Sequence, residues 1–185
     1  MGGQRSELPG RKKEEIMTET PQEYIKRMLG NVEGRDALRV QGSTAAKLAK
    51  LVKGVAPARL KKRPVPGKWS VAEILAHLAD TEIVGSWRIR SILGAPGTPI
   101  QAFDQDAWVT AGHYEKRDPK KSIEQFRALR EANLALYRTL TPEQWKHHGM
   151  HAERGVESVE DIVRMFAGHD VNHMRQIEAI LKNGK

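Results

Sequence analysis

Ser158-Val159-Glu160-Asp161-Ile162-Val163-Arg164-Met165-Phe166-Ala167-Gly168-His169-Asp170-Val171-Asn172-His173-Met174-Arg175-Gln176-Ile177-Glu178-Ala179-Ile180-Leu181-Lys182 carries the pattern that decides the fold. At about 3.6 residues per turn, Val159, Ile162, Val163, Phe166, Ile177, Ile180 and Leu181 fall on one side of a helix, so that side is buried. Ser158, with Asp161 three positions on, supplies the start: a hydroxyl at the N-cap and an acid that answers it satisfy otherwise orphaned backbone donors. Two middle turns break the apolar stripe. His169, Asp170 and His173 stand where aliphatic residues should, on the side that faces the core, and polar groups placed there need partners.

The same start chemistry recurs along the chain. Thr20 with Glu23, Ser70 with Glu73 and Thr141 with Gln144 repeat the pairing, and Pro21 and Pro142 occupy the favoured first helical position. Asp118 before Pro119 offers another start, and Ser43 or Thr44 a further one ahead of Leu48, Leu51, Val52 and Val55. Alternation of the strand type is nowhere sustained. These signals predict a short helix over 21–30 and long helices over 43–54, 70–93, 119–140 and 158–182. The fold class is all-α: an up-and-down four-helix bundle with a short N-terminal helix and a long loop between the second and third long helices. That connection, from Gly94 to Arg117, holds Pro96, Pro99, Phe103, Trp108 and Tyr114, and reads as a packed lid.

Length and composition set bounds around this core. A chain of 185 residues suits one domain, expected over 17–185, after a polar tail over 1–16 that lacks apolar periodicity and leaves Met17 as a candidate natural start. Gly2 to Ser6 formally fits a myristoylation pattern, which is too short to carry weight. With no cysteine, disulfides, thiolate metal sites and a sulfur nucleophile of the protein's own are excluded, and any metal must be held by His, Asp or Glu. Apolar runs fall short of the roughly 20 residues that cross a bilayer, so no membrane partner is expected and the cytoplasm is the expected location. The formal charge of +8 and pI near 9.8 raise the question of nucleic acid. The densest basic run, Arg59, Lys61, Lys62, Arg63 and Lys68, surrounds Pro64, Pro66 and Gly67 and reads as a solvated loop, so no specific nucleic-acid partner is expected. A homodimer is the default oligomer.

His169 and His173, four apart on one helical face, can share a small cation; the spacing alone is weak and their place on the buried stripe strengthens it, while a hydrogen-bonded structural pair remains the equal alternative. His77 flanks the stripe of Val71, Ile74, Leu75, Leu78 and Ile89, beside Thr81 and Val84, and faces a neighbouring helix. If the two capped helices pack together, His77 comes opposite the other pair. Asp170 and Asp80 are candidates for a carboxylate near that point, able to take a proton or orient an imidazole, with Asp170 preferred for its place in the stripe. Asn133 and Arg130 are candidate pocket residues, although an arginine such as Arg130 more often simply lies at the surface. His113 lies in the long loop, from which it could reach a metal as a fourth ligand or act as acid or base, though neither role is favoured; His151 precedes Glu153, Arg154 and Gly155 in a stretch that could rim a pocket and has no assigned role. Trp69, Trp87 and Trp145 read as packing, while Trp108 gains interest from its loop.

The stretch Pro66-Gly67-Lys68-Trp69-Ser70-Val71-Ala72-Glu73-Ile74-Leu75-Ala76-His77-Leu78-Ala79-Asp80, the segment Phe103-Asp104-Gln105-Asp106-Ala107-Trp108 and the run Ala167-Gly168-His169-Asp170-Val171-Asn172-His173 together resemble the DinB-like superfamily, which includes YfiT-like metal hydrolases and thiol-dependent S-transferases. The resemblance implies a four-helix bundle holding a divalent transition metal, zinc or nickel first, through His77, His169 and His173. It implies a metal-dependent enzyme that activates water (a hydrolase) or a low-molecular-weight thiol cosubstrate (an S-transferase) against a small-molecule substrate. The competing classes are a bundle that binds metal or ligand without catalysis and a nucleic-acid-binding protein. Basic residues interleaved with aromatics, which the last of these usually shows, are not evident.

Overall fold

The computed structural model describes residues 19–183; the expected tail over 1–16, the candidate start Met17 and the Gly2–Ser6 pattern lie outside the described residues. Its helices are α1 (Pro21–Gly30), α2 (Ala37–Val52), α3 (Pro57–Lys61), α4 (Val71–Gly94), α5 (Gln105–Ala111), α6 (Pro119–Tyr137), α7 (Pro142–Lys146) and α8 (Val159–Asn183), with strands β1 (Pro99–Ile100), β2 (His148–His151) and β3 (Gly155–Ser158) and a 3-10 turn over Tyr114–Lys116. The capping boxes at Thr20, Ser70 and Thr141 all close. At the head of α8, the Asp161 amide donates to the Ser158 hydroxyl at 3.0 Å and the Ser158 amide to the Asp161 carboxylate at 3.1 Å.

Two expectations need correction. The first long helix begins at Ala37, not at Ser43 or Thr44, because Asp36 caps it by accepting from the Arg39 amide. The basic run is not all loop either: Arg59 and Lys61 lie in α3, and Arg63 pairs with the buried Glu73 carboxylate. The long connection is folded around α5 and the 3-10 turn. The small sheet has β1 parallel to β2 and β2 antiparallel to β3. Strands of two and four residues are too short to display a period of two in the sequence.

The bundle consists of α2, α4, α6 and α8. Helix α4 packs on α6 and α8, and α2 packs on the same pair, so the successive helices α2 and α4 are diagonal across the bundle and are joined through α3. This arrangement puts the His77 helix directly against the helix of His169 and His173. Helix α1 lies along α8 at Gly168, where a Cβ would overlap the Met28 carbonyl; only glycine permits that approach, and Asn31 uses it to donate to the Gly168 carbonyl at 3.2 Å.

Two apolar clusters fill the bundle. One gathers Leu48, Val71, Ile74, Leu75, Leu78, Phe126, Val171 and Ile177; the other gathers Met28, Ile89, Ile92, Leu134, Ile162 and Phe166. Between them runs a belt of buried polar side chains from all four helices: Gln41 and Thr44, His77 to Arg88, Arg130 and Asn133, and His169 to His173. The break in the α8 stripe is therefore one segment of a polar layer that crosses the whole bundle.

Candidate metal centre

Helix α4 supplies His77 and α8 supplies His169 and His173, and all three are buried. The His77 and His169 Nε2 atoms lie 3.0 Å apart, and those of His173 and His169 lie 3.1 Å apart. One nitrogen from each ring can be chosen so that all lie within 4.8 Å of one another, as a shared cation requires. Burial drives the His77 and His169 pKa values well below 6.5, and the neighbouring imidazoles push the same way. Burial also lowers His173 to about 4, partly opposed by its hydrogen bond to Gln176. The rings are thus neutral at pH 7. Nδ1 of His173 lies 3.0 Å from Oε1 of Gln176; with that oxygen accepting, the proton sits on Nδ1 and the Nε2 lone pair faces the other rings.

When all three imidazoles carry their proton on Nδ1, as the Gln176 contact favours for His173, the converging Nε2 atoms are all acceptors and none can satisfy another. A cation among them would satisfy all three lone pairs at once, so the donor set fits a metal of the kind bound by imidazole. Thr81, one turn after His77, directs its hydroxyl to the His77 carbonyl at 2.8 Å and lies 3.5 Å from the His77 ring nitrogen. Trp69 sits against this group, its ring centroid 4.9 Å from that of His77 and nearly parallel to His173 at 6.4 Å.

Neither candidate carboxylate meets an imidazole. Asp170 accepts from Arg130 at 2.6 and 3.0 Å and from Thr44 at 2.9 Å. Asp80 accepts from Tyr114 at 2.6 Å and Arg117 at 2.8 Å. Arg130, read as a pocket or surface residue, is among the most buried side chains of the protein: it bridges Asp170 and Glu82, and Asn133 donates to the same Glu82 carboxylate at 3.1 Å. His113 is exposed and stands beside Glu115, away from the cluster. His151 is buried in β2, where burial and the nearby Arg154 and Arg88 pull its pKa down to about 4. Trp87 is 74% exposed, so it is not packing, and Trp145 lies against Tyr137. Trp69, not Trp108, is the tryptophan at the histidines. The sequence signal for Gln176 was its spacing, three residues after His173 on the same helix.

Beside the cluster a cavity of about 440 Å³ is lined by His77, Thr81, Arg88, Phe103, Phe166 and His169, with Asp104, Asp106 and Glu153 also on its wall. The long connection therefore forms one side of it through Phe103 to Asp106. Gly85 makes room for Phe166, whose ring would lie 2.5 Å from a Cβ at that position. The cavity reaches His77 and His169 directly, so a small molecule held there would sit next to the converging nitrogens.

The fold and cluster define a four-helix bundle with a candidate three-histidine metal centre open to a small-molecule cavity. The chain belongs to the DinB superfamily, whose sequence pattern matches residues 43–177. It is 26% identical over 141 residues to YfiT of Bacillus subtilis (strain 168), provisionally named a metal-dependent hydrolase, covering 76% of this chain and 79% of that protein. A protein of Oceanobacillus iheyensis with the same kind of name is 26% identical over 137 residues, covering 74% of this chain and 79% of its own. In three dimensions the chain matches the YfiT structure, described as "a probable metal-dependent hydrolase with an unusual four-helix bundle topology", with a TM-score of 0.74 at 23% identity over 94% of this chain and 93% of that one.

Proposed function

We propose that this protein is a metal-dependent hydrolase acting on a small molecule, with His77, His169 and His173 as the ligands of one divalent ion, zinc or nickel. The observation that carries the reading is the convergence of three buried, neutral imidazoles, two of which, His77 and His169, line a cavity. A bound divalent cation with an open position would supply Lewis acidity, making a water or thiol that shares it a stronger acid and polarising a substrate oxygen. Gln176 holds His173 in the tautomer that offers Nε2, and Trp69 packs against the rings of His77 and His173. Asp106 and Glu153, exposed on the cavity wall, are placed to take up a proton released there. Asp170 enters the proposal as a positioning residue: its oxygens are bound by Arg130 and Thr44, which fixes the turn of α8 that carries His169.

Thiol transfer is the second reading, favoured by the absence of cysteine: the site has no sulfur of its own to compete for a soft cation, so an incoming small thiol would meet three nitrogens only. Both readings are tested on protein purified without a nickel column. Metal analysis is expected to give up to one transition ion per chain, and zinc-loaded protein is expected to turn over activated esters or amides with water, or an electrophile with a small thiol. A folded His77→Ala is expected to be at background in either assay. Full metal affinity and full activity in His77→Ala would defeat the three-ligand reading. Asp170→Asn is expected to lower stability more than turnover per folded molecule.

A further inference from the structure

Arg88 is the second fully buried arginine of the bundle, 4% exposed, and unlike Arg130 it has no carboxylate partner among the described residues. It stands 11 residues after His77 on α4, which at about 100° per residue returns it to nearly the same face three turns on. A guanidinium has five N–H donors, and the one hydrogen bond recorded for this group is from Nη2 to the Gln101 carbonyl at 2.8 Å. The Phe103 ring lies 5.7 Å from its central carbon, which with Gln101 holds the fork in place. Burial, helped by Arg154 and partly opposed by the more distant Glu157 and Glu153, pulls the Arg88 pKa down to about 10, so the group remains charged at neutral pH with no carboxylate in direct contact among the described residues. A buried charge with no carboxylate bonded to it is costly, and this one lines the cavity that holds His77 and His169.

We propose that Arg88 is the anchor for a carboxylate on the substrate, so that this enzyme acts on small monoanionic molecules with an apolar body. The inference rests on the reading of the histidine cavity as the substrate site. The planar fork matches a carboxylate bidentately, and Phe103 and Phe166 on the same wall give the apolar surface. The other charges of the wall favour a single negative charge over two. Arg154 is committed to Glu157 through bonds of 2.6 and 2.7 Å, Glu19 is held by Arg27, and Asp104 caps α5, while Asp106 and Glu153 remain as exposed acids near the opening. A single guanidinium that no described carboxylate pairs, set among such acids, suits a carboxylate and disfavours a phosphate dianion.

The test titrates the full-length protein, with and without zinc, with phenylacetate, its neutral analogue phenylacetamide, and phenyl phosphate. Phenylacetate is expected to bind about tenfold to a hundredfold more tightly than phenylacetamide, the scale of charge-assisted hydrogen bonds. The preference is expected to persist in zinc-free protein, which separates Arg88 from a carboxylate simply ligating the metal. Arg88→Gln should abolish it and Arg88→Lys should retain part, with zinc affinity unchanged in both. Equal binding of acid and amide to the wild type, no binding of either, tighter binding of phenyl phosphate, or an undiminished preference in Arg88→Gln would each overturn the proposal. Should Arg88→Gln fail to fold, the wild-type comparison and Arg88→Lys still decide. A wild type that takes up no zinc would defeat the metal reading instead, and leaves the acid-over-amide comparison to judge Arg88 by itself.

Discussion

Two buried polar groups sit side by side in the middle of this bundle and are built on opposite plans. Around Arg130, every charge has its partner: Glu82 and Asp170 bind the guanidinium, and Asn133, Thr44 and the Gln41 carbonyl complete the hydrogen bonds. Around His169, one residue before Asp170, three imidazoles face one another and no acid answers them. Arg88, on the wall of the cavity beside them, has no acid bonded to it among the described residues either. A closed polar knot fixes helices against each other, whereas an open one leaves lone pairs and charge available to something that arrives. The polar belt thus combines a clamp with a site, and the clamp holds α8 in the position from which the site can form.

The largest expected effect comes from breaking the clamp. Arg130→Met leaves Glu82 and Asp170 buried without their cation and should cost roughly 3–5 kcal/mol in urea denaturation. Stability equal to the wild type would show that the two groups differ less than their hydrogen bonds suggest. His169→Ala tests the open side. It should weaken zinc binding, measured by calorimetry, by more than the roughly 10- to 100-fold typical of losing an outer partner, yet reduce metal-free stability far less than Arg130→Met.

A third effect, smaller, is in pH. His173 and His151 carry folded-state pKa values of about 4 against 6.5 for a free histidine, and His77 and His169 are also lowered. Between about 4 and 6.5 the unfolded chain therefore binds more protons than the folded one, so stability should rise with pH across that window and fall on acidification. Denaturation midpoints of metal-free protein at several pH values check the sign. Zinc should move the loss to lower pH and make it coincide with metal release, since protons and cation compete for the same nitrogens. The smallest effect is expected for Gln176→Leu, about a tenfold loss of zinc affinity with stability little changed.

Much of this was legible in the chain alone. Residue-to-residue chemistry within one helix is local, and the capping pairs at Thr20, Ser70, Thr141 and Ser158, the apolar stripe of α8 and its interruption at His169, Asp170 and His173 are all set by spacing along one axis. The start of α2 at Asp36 was equally local: its carboxylate caps the helix by accepting from the Arg39 amide three residues on.

The partners were another matter. Sequence placed Asp170 among the polar groups of the core, but whether it would face an imidazole or a guanidinium depended on the diagonal arrangement of α2 and α4, which brings α6 with Arg130 beside it. Arg88 carried no sequence signal at all, because a basic residue on a helix is ordinarily solvated, and only the fold of the connection over Phe103 buried it. What one helix presents is fixed by its period, and this the sequence determined. Which side chain meets it across the bundle follows from packing between distant segments, whose free energy is spread over the whole core, and this only the tertiary structure decided.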